Sequence, residues 1–88
     1  MKITNQEKIY TACANITRLM IIKMLKQYQY ASVTSISTSV NMSVKSISKH
    51  LQIILSAGII EYEKNGTTVY YKIKKPMNPI VKNIVSNL

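Results

Sequence analysis

Apolar residues recur at helical intervals through most of this chain and give way once to two short strand-like runs. A first helix is expected over residues 5–14, with Ile9, Ala12 and Cys13 on one side. Asn15 can cap a second helix over residues 16–28. There Leu19, Ile22, Met24 and Leu25 supply a broad apolar face at 3.6-residue spacing, and Arg18, Lys23, Lys26 and Gln27 take the wetter side. Tyr30-Ala31 is a break. Ser32 can cap a third helix, residues 32–40, that buries Val33, Ile36 and Val40.

Asn41-Met42 makes a tight turn, and Ser43 suits the cap of a fourth helix over residues 43–57. Ile47, Leu51, Ile54 and Leu55 are its core positions; at 100° per residue, Lys45, Ser46 and Lys49 project to the opposite side. Gly58 can enter the left-handed region that ends a helix. Two strands, Ile59 to Lys64 and Thr67 to Lys74, form a wing over residues 59–74, with Asn65-Gly66 as a two-residue type I′ turn. Pro76 and Pro79 open a last amphipathic helix over residues 77–87, with Ile80, Val81, Ile84, Val85 and Leu88 apolar. The fold class is therefore mainly α with a small β-hairpin. Helix, turn, helix and then β-ribbon is the order of a winged helix-turn-helix.

Composition narrows the use of such a fold. Eighty-eight residues, 47% hydrophobic, suit a single domain with one modest core and argue against disorder. No apolar run reaches the roughly 18–20 residues that cross a bilayer, and the first residues lack a signal-peptide core, so a cytoplasmic protein without membrane attachment is expected. Twelve Lys+Arg against three Asp+Glu give a formal charge of +9. That excess attracts polyanions and releases their condensed counterions. Charge alone fits duplex DNA, RNA or an anionic membrane surface. The fold order selects double-stranded DNA.

The fourth helix carries the chemistry of base reading. Its first turns, SVKSISKH, expose short hydroxyls and two lysines, with no acid to repel phosphate. An α-helix fits the major groove and brings its N-terminal side chains to the base edges. Lys45 and Lys49 can reach guanine or phosphate, Ser46 and Ser48 can donate or accept, and Val44 suits a thymine methyl. The helix N-terminus favours a phosphate near Ser43. His50 is expected near the wing or a phosphate rather than on a metal. On the wing, Lys64 flanks the tip and is the best phosphate candidate; Lys72, Lys74 and Lys75 lie at its far end. Lysines on a β-ribbon also guard against edge aggregation.

Ala12–Leu19 (ACANITRL), Ser43–Leu51 (SVKSISKHL), Ala57–Ile60 (AGII) and Gly66–Ile73 (GTTVYYKI) resemble the ArsR/SmtB family of winged-helix transcriptional repressors. The resemblance runs from about Ile9 to Ile73. It implies a fourth helix in the major groove, a wing on backbone or minor groove, and terminal helices that form a symmetric dimer, with Ile9, Cys13, Ile80, Val81, Ile84, Val85 and Leu88 at its interface. Ile16 stands where relatives start a helix with proline, and Val44 where a polar base reader is common. The Cys-x-Cys of one metal-sensing type is missing from SVTSISTSV, and the Asp, Glu and His of another from PIVKNIVSNL. A closed zinc site wants four ligands. No metal and no other cofactor is therefore expected, and Cys13 reads as a packed thiol.

One His, one Cys and the acids Glu7, Glu61 and Glu63 offer no acid–base pair or triad, so no enzyme is expected. Glu61 and Glu63 share a strand face opposite Lys72, a structural use. The reading is thus a homodimeric, sequence-specific DNA-binding regulator of transcription, acting as a repressor. Two alternatives stand beside it. One is a winged-helix protein-interaction module docking through Ile53 and Leu55. The other is a nonspecific DNA-coating protein, which the lysine bias (one arginine only) would suit.

Overall fold

Each helix of the computed structural model, which describes residues 4–88, begins where a polar side chain accepts a free backbone N–H. The helices are α1 (Asn5–Cys13), α2 (Ile16–Tyr28), α3 (Val33–Val40), α4 (Val44–Ser56) and α5 (Pro79–Ser86); the strands are β1 (Tyr30–Ser32), β2 (Ile60–Asn65) and β3 (Thr68–Ile73). Thr4 accepts from the Glu7 amide at 3.2 Å, Asn15 from Arg18 at 3.1 Å, Ser32 from Ser35 at 3.2 Å and Ser43 from Ser46 at 3.1 Å. The caps expected at Asn15, Ser32 and Ser43 all form. Such a cap stabilises a helix by about 1 kcal/mol. The last helix starts later than its prolines suggested, because Asn78 takes the cap position and accepts from the Ile80 amide at 2.9 Å.

Helix ends obey the same local rules. Asn41 adopts a left-handed backbone (φ 55°), and Met42 N–H returns to the Ser37 carbonyl at 3.1 Å, which makes the tight turn between α3 and α4. Gly58 closes α4 with φ +73°. Its N–H reaches the Leu55 carbonyl at 2.9 Å and that of Ile59 reaches Ile54 at 3.4 Å, the paired bonds of a Schellman motif. Ile59 therefore belongs to the helix end rather than to the strand, although its carbonyl still accepts from Lys74 N–H at 3.0 Å.

Two expectations about the sheet are corrected. Tyr30-Ala31, read as a break, lies in a third strand: β1 pairs antiparallel with β3, placing Ala31 opposite Tyr71, in the order β1-β3-β2. Three residues are too few to show alternation, and it is the burial of Ala31 and the ladder to β3 that hold them extended. The wing tip is also displaced by one residue. Asn65 pairs with Thr68, so the two-residue loop is Gly66-Thr67. Only Gly66 has a positive φ, +66°, which is the II′ pattern rather than I′.

The core gathers around α2, which packs on every other helix and on β1 and β3. Ile21, Ile22 and Leu25 are buried against Ile9, Ala12, Ile36, Ile47, Leu51 and Ile54. The expected α2 face is thereby rotated: Ile21 is fully buried, while Leu19 and Met24 are half-buried. On α5, Val81 and Val85 are 2% and 5% exposed, and Ile9 of α1 is 1% exposed. These three, expected at a dimer interface, fill the core of their own chain, because α5 folds back onto α1 and α2. Cys13, Ile80, Ile84 and Leu88 pack at the edge of that core and remain half-exposed. Among the described residues no helix is long and apolar enough to cross a membrane.

The close of α4 supplies a clean test. A Cβ at Gly58 would meet nothing within 4 Å, so Gly58→Ala carries only the cost of a left-handed backbone, about 1 kcal/mol. Urea unfolding of the variant should show that loss with an unchanged slope; full retention of stability would mean that this helix end can relax to another conformation.

Candidate nucleic-acid interface

The core fixes one face of α4 and leaves the other bare. Ile47, Leu51 and Ile54 are each 0% exposed, and they turn Lys45, Ser48 and Lys49 into solvent. Ser43 is exposed at the cap, and Val44 is 44% exposed in the first turn. α4 carries no acidic residue. Ser46, expected opposite the core, is half-buried. The start of the helix is held in place from α3, where the Ser37 hydroxyl donates to the Met42 carbonyl. The exposed face is thus a rigid, capped helix start bearing two lysines and a run of hydroxyls.

His50 and Arg18 stand apart from these expectations. Arg18 was assigned to the wet side of α2, yet its side chain is partly buried at the junction of three helices. Its Nε donates to the Ala12 carbonyl at 2.7 Å and its Nη2 to the Thr11 carbonyl at 3.2 Å, both in the last turn of α1. Its Nη1 approaches Nδ1 of His50 at 3.3 Å. The guanidinium can do this because the last-turn carbonyls of α1 point out of the helix end, where a cation is favoured; Thr11 accepts from the Ala14 N–H at 3.2 Å as well. Side-chain periodicity on α2 alone could not reveal it; a lone arginine among eleven lysines was the available signal.

The wing divides by register. Ile60, Tyr62 and Lys64 share a face with Val69, Tyr71, Ile73 and Ala31, whose base enters the core. Glu61, Glu63, Tyr70 and Lys72 occupy the opposite face. There Lys72 Nζ lies 3.6 Å from Glu61 and 3.4 Å from Glu63, the cross-strand pairing the spacing predicts. This exposed triad is worth little in stability. Its consequence is electrostatic, since both wing acids lie on the outer face and are matched by Lys72. Lys64 is exposed beside the tip. Tyr30 and Tyr70 meet edge to face at 5.7 Å, and Tyr62 and Tyr71 tilt together at 6.3 Å.

Cys13 is half-buried at the end of α1. Burial pushes its thiol above the ordinary 9.0, and the nearby Arg18 charge partly opposes that. Among the described residues no three of His, Cys, Asp and Glu converge on one point.

The sequence that builds this bare, basic, capped helix matches a known family. The model described as bacterial regulatory protein, arsR family, aligns with residues 15–62, more than half of the chain. This chain belongs to the arsR family of bacterial regulatory proteins. An HTH-type transcriptional regulator of Methanocaldococcus jannaschii is 34% identical over 76 residues, 85% of each chain. Another, from Mycobacterium tuberculosis, is 36% identical over 66 residues; these are 75% of this chain and 29% of that longer protein. Among solved structures, the homodimeric winged helix-turn-helix DNA-binding domain of a possible ArsR-family regulator from Mycobacterium bovis superposes with a TM-score of 0.82. It is 28% identical, and the match covers 94% of this chain and 74% of that one. The protein is accordingly a winged helix-turn-helix, DNA-binding regulator of transcription.

Within the arsR frame, the start of α2 departs from the proline expected there. Ile16 is 73% exposed, and the helix start rests on the Asn15 cap instead.

The half-buried thiol gives a pH prediction. Cys13 ionises less readily folded than unfolded, so stability should be flat up to about the unfolded thiol value of 9.0 and fall as pH rises beyond it. Iodoacetamide at pH 8 should alkylate the folded chain more slowly than the urea-unfolded one. Equal rates would place the thiol in solvent.

Proposed function

We propose that this regulator is a cytoplasmic, homodimeric repressor that reads a near-palindromic DNA site with α4 and clamps the flanking backbone or minor groove with the wing. The observation that carries this reading is the split of α4: three fully buried isoleucine and leucine side chains on one face, and an acid-free face with Lys45 and Lys49 on the other. In this reading Ser43, Val44, Lys45, Ser46, Ser48, Lys49 and His50 face the major groove or its phosphates. Lys64 meets the backbone near the wing tip. A dimer seated on a promoter excludes polymerase, and this binding, not catalysis, is the whole of the activity. We assign it no metal inducer, since Cys13 is packed and His50 is turned to Arg18. Residues 1–88 then act as one domain.

The interaction-module alternative loses one of its two contacts, because Leu55 packs against the core and leaves Ile53 alone exposed. Selection from a random duplex pool tests the choice directly. A repressor yields an enriched site, a coating protein binds without enrichment, and a docking module recovers nothing at moderate salt. On the enriched site, Lys49→Ala should weaken binding by about ten- to a hundredfold, with an unfolding midpoint close to the parent's, since a base contact is worth ~1–3 kcal/mol. Lys64→Ala should lower the salt slope by about one, the loss of one phosphate contact. If Lys49→Ala bound like the parent, α4 would not be the reading helix.

Dimerisation rests on the half-exposed rows that α5 and α1 leave over. Ile80 and Ile84 lie one turn apart on α5, Leu88 follows its C-cap, and all three are apolar and only partly covered by their own chain. The mycobacterial domain of like fold is homodimeric. A symmetric pairing through these residues and Cys13 sets two α4 helices about 34–36 Å apart, one turn of DNA. Because Val81 and Val85 belong to the core, the informative change is Ile80→Asp with Ile84→Asp. It should give a folded monomer that binds half-sites weakly. Sedimentation of the unaltered protein as a monomer at tens of micromolar would remove the dimer.

A further inference from the structure

We infer that Arg18 is a positioning residue for DNA binding: by donating to Nδ1 of His50 it fixes the imidazole tautomer and leaves Nε2–H as an outward donor to DNA phosphate. The inference rests on the DNA-reading role proposed for α4.

The argument begins with donors and acceptors. A guanidinium has only donors and stays protonated in proteins, so the ring nitrogen 3.3 Å from Arg18 Nη1 must offer a lone pair. A neutral imidazole accepting at Nδ1 carries its hydrogen at Nε2. His50 is half-buried, its Nε2 has no hydrogen-bond partner among the described residues, and no partnerless side-chain nitrogen or oxygen among them is fully buried. Nε2 is therefore open to solvent, on the side of the ring away from Arg18. One turn separates His50 from Ser46 on the same flank of the helix that carries Lys45 and Lys49.

The geometry of Arg18 explains why it can act as a clamp. Two of its nitrogens are held by the Ala12 and Thr11 carbonyls at 2.7 and 3.2 Å, and its backbone amide is held by Asn15 at 3.1 Å. Both carbonyls belong to the last turn of α1, so the guanidinium plane is fixed before it meets His50. A lysine could not reproduce this arrangement, because an ammonium has no planar fork. One side chain thus ties the end of α1, the start of α2 and the middle of α4, and hands a single defined hydrogen to the DNA side.

The experiment separates the two halves of the ring. In His50→Asn the shortened amide can keep the Arg18 contact at the Nδ1 position but cannot reach outward. In His50→Gln the longer amide supplies a donor near the Nε2 position and loses Arg18. Affinity for the selected duplex should follow the outward donor: within about threefold of the parent for glutamine, and about tenfold weaker for asparagine. Thermal stability should run the other way. Nitrogen-15 NMR of the free protein should show the Nε2–H tautomer in the parent and a mixture in Arg18→Gln, a readout that needs no DNA. An Nδ1–H tautomer in the parent, or equal affinities for the two His50 variants, overturns the inference. If the parent itself enriches no duplex, the DNA-reading role fails, while the tautomer measurement still decides the Arg18 contact.

Discussion

The seam formed by Ile47, Leu51 and Ile54 is the constraint on which the rest of this molecule depends. Each side chain is fully buried, and each such burial contributes about 1.5–3 kcal/mol. That anchorage does more than stabilise. A helix that reads DNA must keep one face bare and basic, and a bare basic helix repels its own like charges and gains nothing from packing there. The apolar seam offsets this and fixes which face of α4 turns inward. The Ser43 cap and the Gly58 closure then fix its two ends. Only a helix pinned in rotation, start and stop can present Lys45 and Lys49 to a groove in a repeatable way.

How much of this was legible in the sequence follows the range of each interaction. Caps, turns and helix stops depend on a few neighbouring residues, and Asn15, Ser32, Ser43, Asn41 and Gly58 all act as their chemistry dictates. The exposed face of α4 was legible for the same reason, since 100° per residue places Lys49 opposite Leu51 without reference to any other element. Features that require two distant segments to meet were not. β1 is a strand only because β3 lies beside it. The inward direction of Val81, Val85 and Ile9 depends on α5 folding back, a path that the proline-containing connection after β3 leaves open. The position of Arg18 is another such feature, because an arginine can bury its guanidinium wherever helix-end carbonyls collect, and the last turn of α1 supplies two.

The position of Arg18 changes what the DNA-facing surface can be made of. It is the only arginine in the chain, and it is engaged at the junction of α1, α2 and α4. No guanidinium is left for the bidentate reading of guanine that gives the commonest specific contact. The exposed cations are lysines, which act as mobile point charges and bind phosphate well while discriminating bases poorly. Hydroxyls at Ser43, Ser46 and Ser48 accept or donate to either kind of partner. Val44 adds apolar contact alone. Each half of the proposed interface is therefore strong in electrostatics and weak in sequence information.

Weak information per half-site makes symmetry a physical requirement rather than an ornament. Two modest readers joined at a fixed separation multiply their discrimination, because mismatches in separate half-sites add in free energy. They also couple specificity to the stiffness of the joint between them, since a loose joint would let each half bind on its own. Here the joint and the reader share parts. α5 is anchored by Val81 and Val85 in the same core that holds α4, and Arg18 links the end of α1 to the middle of α4. The terminal helices and α4 are thus joined through packed side chains and one guanidinium. In so small a domain, the surface proposed to pair two copies and the surface proposed to meet DNA are two sides of one core.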